Sequence, residues 1–160
     1  DWLGMIAPTE FDSSSGSFIH GVVHDENARA LGGVSGHAGL FSNARDLAVL
    51  MQMILNGGEY GGIRFFKNET VDLFTKRWQN NRGLGWDNAL SPYGKSALDG
   101  AFGENAFGHT GFTGTSVYVY PEKKLIAVLL TNRVHPTRAN TKHIPLRKAV
   151  HKAIVEALVN

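Results

Sequence analysis

Residues 107–115 read Phe-Gly-His-Thr-Gly-Phe-Thr-Gly-Thr and run on into Ser116-Val117-Tyr118-Val119-Tyr120. Three glycines and three threonines surround one histidine, directly before an alternating strand pattern. Glycine lets a backbone approach a ligand closely, because no Cβ stands in the way. The threonines bring hydroxyls, and His109 brings a group that can titrate near neutral pH. A strand edge of this kind can offer main-chain N–H groups to a carbonyl whose oxygen becomes negative during acyl transfer. The chain also offers His24-Asp25-Glu26-Asn27 and Gly36-His37-Ala38-Gly39, so imidazoles recur in glycine-rich surroundings.

His109-Thr110-Gly111 resembles the Lys-Thr-Gly motif on the site-lining strand of penicillin-binding proteins and serine β-lactamases. A His-Thr-Gly form occurs in their esterase-like and carboxypeptidase-like relatives. The resemblance extends through residues 23–28, through Leu31-Gly32-Gly33-Val34-Ser35-Gly36-His37-Ala38-Gly39-Leu40-Phe41-Ser42, and through Asp46-Leu47-Ala48. It continues in Arg82-Gly83-Leu84-Gly85-Trp86 and in residues 129–136. Together these segments look like the C-terminal half of a β-lactamase-family serine hydrolase. The nearest subgroup is found as free envelope proteins or fused behind family 3 glycoside hydrolases in bacteria.

The resemblance implies roles. His109 takes the position of the family's strand lysine, Thr110 bonds the substrate or the nucleophile's neighbours, and Phe112 gives its backbone N–H to an oxyanion hole. Gly111, Thr113, His24 and His37 are the implied substrate-binding wall. An unperturbed histidine is mostly neutral above roughly pH 6.5. Replacing lysine by histidine therefore favours an ester or peptide substrate over a penicillin. The implied partners are a small-molecule or peptidoglycan-derived substrate and an N-terminal half of the same domain. The implied setting is the bacterial cell envelope, periplasmic or secreted. No cofactor and no metal is expected.

One departure limits what the chain can do alone. No serine is followed by lysine three positions on, since Ser91 and Lys95 are four apart. No Tyr-x-Asn or Ser-x-Asn is present either. The chain reads as the C-terminal portion, 1–160, of one β-lactamase-like domain, inactive without the half that bears the nucleophile. Two other readings stand beside it. One is a non-catalytic module that binds cell-wall fragments or a protein. The other is a metal site at His20 and His24, whose i, i+4 spacing suits two ligands on a helix face. Val22-Val23 reads more like a strand, which breaks that face, and a metal site needs further ligands.

The elements around these residues are those of an α/β domain. The chain has 160 residues, 42% of them hydrophobic and 19% charged, which suits a packed core and excludes a disordered chain. With no cysteine, thiolate chemistry and disulfides are excluded. The net charge of +2 points to no nucleic-acid partner, and no apolar run is long enough to span a membrane. Residues 1–80 are expected to hold helical-subdomain segments and loops, and 81–160 the sheet and a C-terminal helix.

Within that frame, residues 13–17 read as a mobile loop. Residues 43–56 form a helix capped by Ser42 and stopped by Asn56-Gly57-Gly58. Asp25 caps a short helix from Glu26 or orients His24. Asn68 caps a helix over 69–76. Residues 82–86 read as a strand of the main sheet and 87–106 as a long surface loop. Residues 115–120 and 125–130 form an antiparallel hairpin, with the second strand central and buried on both faces. The final helix starts near Pro145 and buries Leu146, Ala149, Val150, Ala153, Ile154, Ala157 and Leu158.

Overall fold

The computed structural model describes residues 2–159, save the side chain of Val159. In chain order the elements are β1 (Phe11–Asp12), β2 (Ser17–Phe18), α1 (Glu26–Ala30), α2 (Ala44–Leu55), β3 (Glu59–Tyr60) and β4 (Ile63–Arg64). Then follow α3 (Asn68–Thr75), β5 (Asp87–Asn88), α4 (Pro92–Leu98), β6 (Phe107–Thr110), β7 (Ser116–Tyr120), β8 (Leu125–Leu129) and α5 (His143–Val159). Two small hairpins, β1–β2 and β3–β4, stand apart from an antiparallel sheet of order β5-β6-β7-β8. This is the expected α/β architecture, an antiparallel sheet with a C-terminal helix packed on it.

The sheet is covered on both faces because β7 alternates. Tyr118 joins Ala89, Ala97, Leu98, Phe102, Ala106 and Ala127 beneath α4 and α5, with Ile154 and Val155 packed against them. Val119 joins Met51 and Phe107 on the other face, where Ile54, Leu55 and Ile126 complete the contact with α2. Period-two side chains thus build two cores from one strand. Met51 and Met53 are buried and fill core space, as expected of methionines on this helix.

Several expectations need correction. Asn43, not Ser42, caps α2: its side chain accepts from Asp46 N–H. Asn68 lies inside α3, and Lys67 precedes it without a side-chain cap bond. Of residues 13–17, expected as a loop, 13–16 are the β1–β2 hairpin turn and Ser17 opens β2, with Asp12 Oδ1 accepting from Ser14 N–H at 2.9 Å and Ser14 Oγ at 2.7 Å. Residues 82–86 are not a strand. Gly83 N–H donates to Trp86 O, Gly85 takes φ 81°, and pairing with β6 begins only at Asp87.

The stretch 87–106 is not a surface loop either. It carries β5, α4 and five buried apolar residues of the core beneath α4. Ser91 caps α4 through Gly94 N–H, with Pro92 in the first turn. A Cβ on Gly94 would meet Asn88 O at 2.0 Å, so only glycine lets α4 sit this close to β5. Strand β8 has apolar neighbours on both faces but lies at an end of the sheet rather than at its centre.

The largest correction concerns α5. Leu146 and Leu158 are half exposed, and Ala149, Ala153 and Ala157 are exposed. The buried side instead carries Arg147 and His151, with Ile154 and Val155. Polar partners under the sheet set this rotation. Arg147 Nη2 donates to Thr115 O at 3.0 Å, and His151 Nε2 lies 3.1 Å from Ser116 Oγ.

His151 yields a pH prediction. Burial, with the nearby charge of Arg147, pushes its imidazole down to about 4. An unfolded histidine titrates near 6.5, so between those values the unfolded chain binds the extra proton. Stability is therefore full above roughly pH 6.5 and falls by about 3 kcal/mol as the pH drops through the folded-state value. Urea midpoints of wild type and His151→Phe between pH 7.5 and 4 check this: wild type should lose stability relative to the variant below about pH 6.5, with little relative change above it. A difference constant over that range would contradict it.

Candidate active site

Strand β6 is where the sheet leaves an edge open. Strand β5 pairs only with Phe107 and Gly108, so from His109 onward that edge has no neighbouring strand among the described residues. On the other edge β7 pairs with all of β6, through Thr110↔Ser116. The hairpin loop 111–115 follows and closes through Gly111 N–H to Thr115 O at 2.8 Å.

Successive side chains of β6 point to opposite faces. Thr110 lines a cleft of about 470 Å³ together with Gly111, Phe112, Arg133, His143 and Arg147. Tyr93 and Ser96 of α4 supply another wall. His109 follows Phe107 to the other face and is not part of that lining. Its side chain is 44% exposed. Its Nδ1 lies 2.7 Å from Thr110 O. A carbonyl only accepts, so Nδ1 carries the proton and Nε2 presents its lone pair. That lone pair meets Arg82 Nη2 at 3.4 Å, with Asp87 Oδ2 at 3.7 Å. Asp87 is buried, and Arg82 Nη1 sits 2.6 Å from its Oδ1, in ionic contact but off the N–H direction.

Phe112 is 59% exposed at the hairpin tip. His24 stacks on its ring at 5.7 Å, and the Arg133 guanidinium lies 4.2 Å from the ring centre. His24 is buried and pairs with Glu10 Oε2 at 3.1 Å. Glu10 in turn takes Arg138 Nε at 2.6 Å, and Arg138 reaches Glu26 at 2.6 Å. Burial works to raise the Glu10 carboxyl, but the bonds from Arg138 and His24 outweigh it and hold it below its ordinary value. The bond from Arg138 does the same for Glu26.

The structure gathers His24, Thr110, Gly111, Phe112 and Thr113 around one hairpin. His37 is not brought onto it. Its ring lies 2.6 Å from Ser35 Oγ and 2.9 Å from Asp25 Oδ1. Asp25 caps α1 through Ala28 N–H with the same oxygen, so of the two roles weighed for it, capping is the one seen. His20 faces the carbonyls of Leu3 and Ile6 while His24 faces Glu10, so the i, i+4 pair does not converge. Among the described residues no cluster of three metal-binding side chains is found.

What can act on a carbonyl here is backbone. The N–H groups of Phe112 and Thr113 have no hydrogen-bond partner among the described residues, and Phe112 lines the cleft, with Thr113 next to it in the loop. The cleft lining holds two arginines, a histidine and no acid. Burial, then the charges of Arg147 and Arg133, pulls His143 below its ordinary value. A smaller hollow of about 300 Å³ lies between α3 and β5, away from the hairpin amides.

A β-lactamase family profile matches residues 7–152. This chain belongs to the β-lactamase family. Relatives from Salmonella typhi, Salmonella gallinarum and Salmonella paratyphi B, each named "Putative D-alanyl-D-alanine carboxypeptidase", are 46% identical over 134 residues. The match takes in 79% of this chain and 30% of each relative, so the chain spans under a third of their length. The mixed helix and strand architecture fits part of a β-lactamase-like fold.

In this β-lactamase-family chain, sequence reasoning missed Glu10, Arg82, Asp87, Arg138 and Arg147. Glu10 and Arg138 are 128 positions apart, and no local pattern announces such a pair. Asp87 carried the one available signal, an acid two positions after a glycine and next to Trp86.

Proposed function

We propose that this chain is the C-terminal part of a serine hydrolase domain that cleaves ester or amide bonds through an acyl-serine intermediate. In this reading the N-terminal half of the domain supplies the nucleophile, and 1–160 supplies the carbonyl-binding edge. The single observation that carries it is the open end of β6. There Thr110 and Phe112 line a cleft beside a strand of the His-Thr-Gly type, and the Phe112 amide and the next one along the loop are unpaired. Donors fixed where an oxyanion develops are what acyl transfer requires.

The substrate class follows from charge. With Arg133 and Arg147 around it and no acid, the cleft favours a substrate with an anionic group beside the scissile bond. A peptide ending in a free carboxylate meets that description, in line with the carboxypeptidase names of the relatives. In this reading His109 takes the lysine's place and works beside the proton network, while permanent charge comes from the arginines. The protein would act on cell-wall peptides in the bacterial envelope. No helix among the described residues is long and apolar enough to cross a membrane.

The test uses the intact protein. A fluorophosphonate probe should label one serine outside residues 1–160. Hydrolysis of a D-alanyl-D-alanine peptide and of a neutral p-nitrophenyl ester should both depend on that serine. Absence of any labelled serine, with no turnover of either compound, would replace this reading by a binding module.

A further inference from the structure

The hairpin loop 111–115 has every carbonyl engaged from within the protein. Gly111 O accepts from Gly114 N–H at 3.0 Å and from Arg147 Nη2 at 3.5 Å. Phe112 O accepts from Arg133 Nε at 2.7 Å, and Thr113 O from Arg133 N–H at 2.9 Å. Gly114 O takes the Thr131 hydroxyl at 2.5 Å. Thr115 O takes Gly111 N–H at 2.8 Å and Arg147 Nη2 at 3.0 Å.

In a planar trans peptide the C=O and the following N–H point to opposite sides. Fixing Gly111 O therefore fixes where Phe112 N–H points, and fixing Phe112 O does the same for Thr113 N–H. Those are the two amides left unpaired. Neither arginine is idle. The Nη1 of Arg133 donates to Arg138 O at 2.8 Å and Asn140 O at 3.2 Å, and its plane covers Phe112 at 4.2 Å. Arg147 reaches the loop from α5 beneath the sheet.

We propose that Arg133 and Arg147 are positioning residues that hold the carbonyls of loop 111–115 and so fix the direction of the Phe112 and Thr113 amides for the reacting carbonyl. Arg133 Nε and Nη1 and Arg147 Nη2 serve the backbone, Arg147 Nε has no partner among the described residues, and the two charges set the field of the cleft. The proposal rests on the acyl-transfer reading above. It explains why a planar fork stands at Arg133, while Arg147 holds Gly111 O and Thr115 O through Nη2 alone. Lysine keeps the charge but offers no planar set of donors that can hold a carbonyl at Nε and two more at Nη1.

The experiment uses Arg133→Lys and Arg147→Lys in the intact protein, with two kinds of readout. The first is amide hydrogen exchange without substrate. Exchange across 111–115 should rise about tenfold in each variant, while β8 (Leu125–Leu129) exchanges as in wild type and shows that the sheet remains folded. The second is kinetics on a neutral p-nitrophenyl ester and on a carboxylate-ending peptide. Loss of one aimed donor costs roughly 10²–10³ in kcat. Both substrates should therefore lose kcat together, by at least tenfold, with KM little changed. Unchanged exchange in 111–115 overturns the proposal. So does a KM increase confined to the carboxylate peptide, which would make the arginines substrate ligands. A wild-type protein that turns over neither compound overturns the functional reading and this proposal together, whereas normal wild-type turnover with normal variant kcat overturns this proposal alone.

Discussion

His109→Ala in the intact protein should lower kcat by about 10²–10⁴, the range for removing a group that moves a proton in the transition state. That loss follows from the lysine-like role proposed above: the ring lies on the face of β6 opposite the Thr110 cleft, so a substrate proton reaches it only around the open edge of that strand. The His109 Nδ1 is tied to Thr110 O at 2.7 Å, so the ring is held by the strand it grows from. Its Nε2 lone pair accepts a long bond from Arg82 Nη2 at 3.4 Å, and nearly half its side chain is open to solvent. The effect should therefore appear in kcat more than in KM, because a group that does not line the cleft contributes little to ground-state binding. The measurement is steady-state kinetics on a neutral ester, with circular dichroism confirming the fold. Unchanged kcat would reject a role for His109 in proton transfer. A change in KM alone would instead make it a binding residue.

The strand that carries the chemistry was legible from sequence because its signals are local. Alternation fixed β7 and Pro121-Glu122 fixed the turn, while the glycine and threonine run marked the site strand but not the loop that ends it at Gly111. Helix α2 was legible for the same reason, its apolar residues recurring within one segment. The reading failed where distant partners decide. Helix α5 was expected to bury its alanines and leucines, yet Arg147 and His151 find oxygen partners at the end of β7 and turn the helix toward them. Hydrophobic periodicity carries no information about such bonds.

Residues 87–106 failed for a different reason. Polar and glycine-rich composition looked like surface, yet Ser91-Pro92 was a legible cap-and-first-turn pair, and Gly94 is a packing glycine. The site was half legible. His109, Thr110 and Phe112 stand out by type and spacing. The Glu10–His24–Arg138 network behind Phe112 depends on chain ends meeting across 128 positions, which no window of sequence shows.

Gly108→Ala should be among the most damaging single changes in the molecule, although it adds one methyl group. An ideal Cβ at Gly108 would lie 2.1 Å from Val117 O, 2.5 Å from Tyr118 Cδ1 and 2.6 Å from Tyr118 Cα. Two of those three atoms are partner backbone in β7, and Tyr118 is fully buried, so none can swing aside. The methyl can be housed only by moving β6 away from β7. That strains the Gly108↔Tyr118 and His109↔Val117 pairs and shifts the Phe107 and Tyr118 cores on both faces at once. Overpacking a tight core costs typically 1–3 kcal/mol, and a clash with backbone belongs at or above the top of that range, about 3 kcal/mol or more. Gly4→Ala is the control, since a Cβ there meets nothing within 4 Å. Urea unfolding of the intact protein should show a large drop in midpoint for Gly108→Ala and none for Gly4→Ala. Because β6 sets where His109 and Thr110 stand, turnover should fall even under conditions where the Gly108→Ala protein remains folded. Equal midpoints for the two variants would mean that β6 and β7 lie farther apart than their pairing requires, and the positions argued for His109 and Phe112 would fall with it.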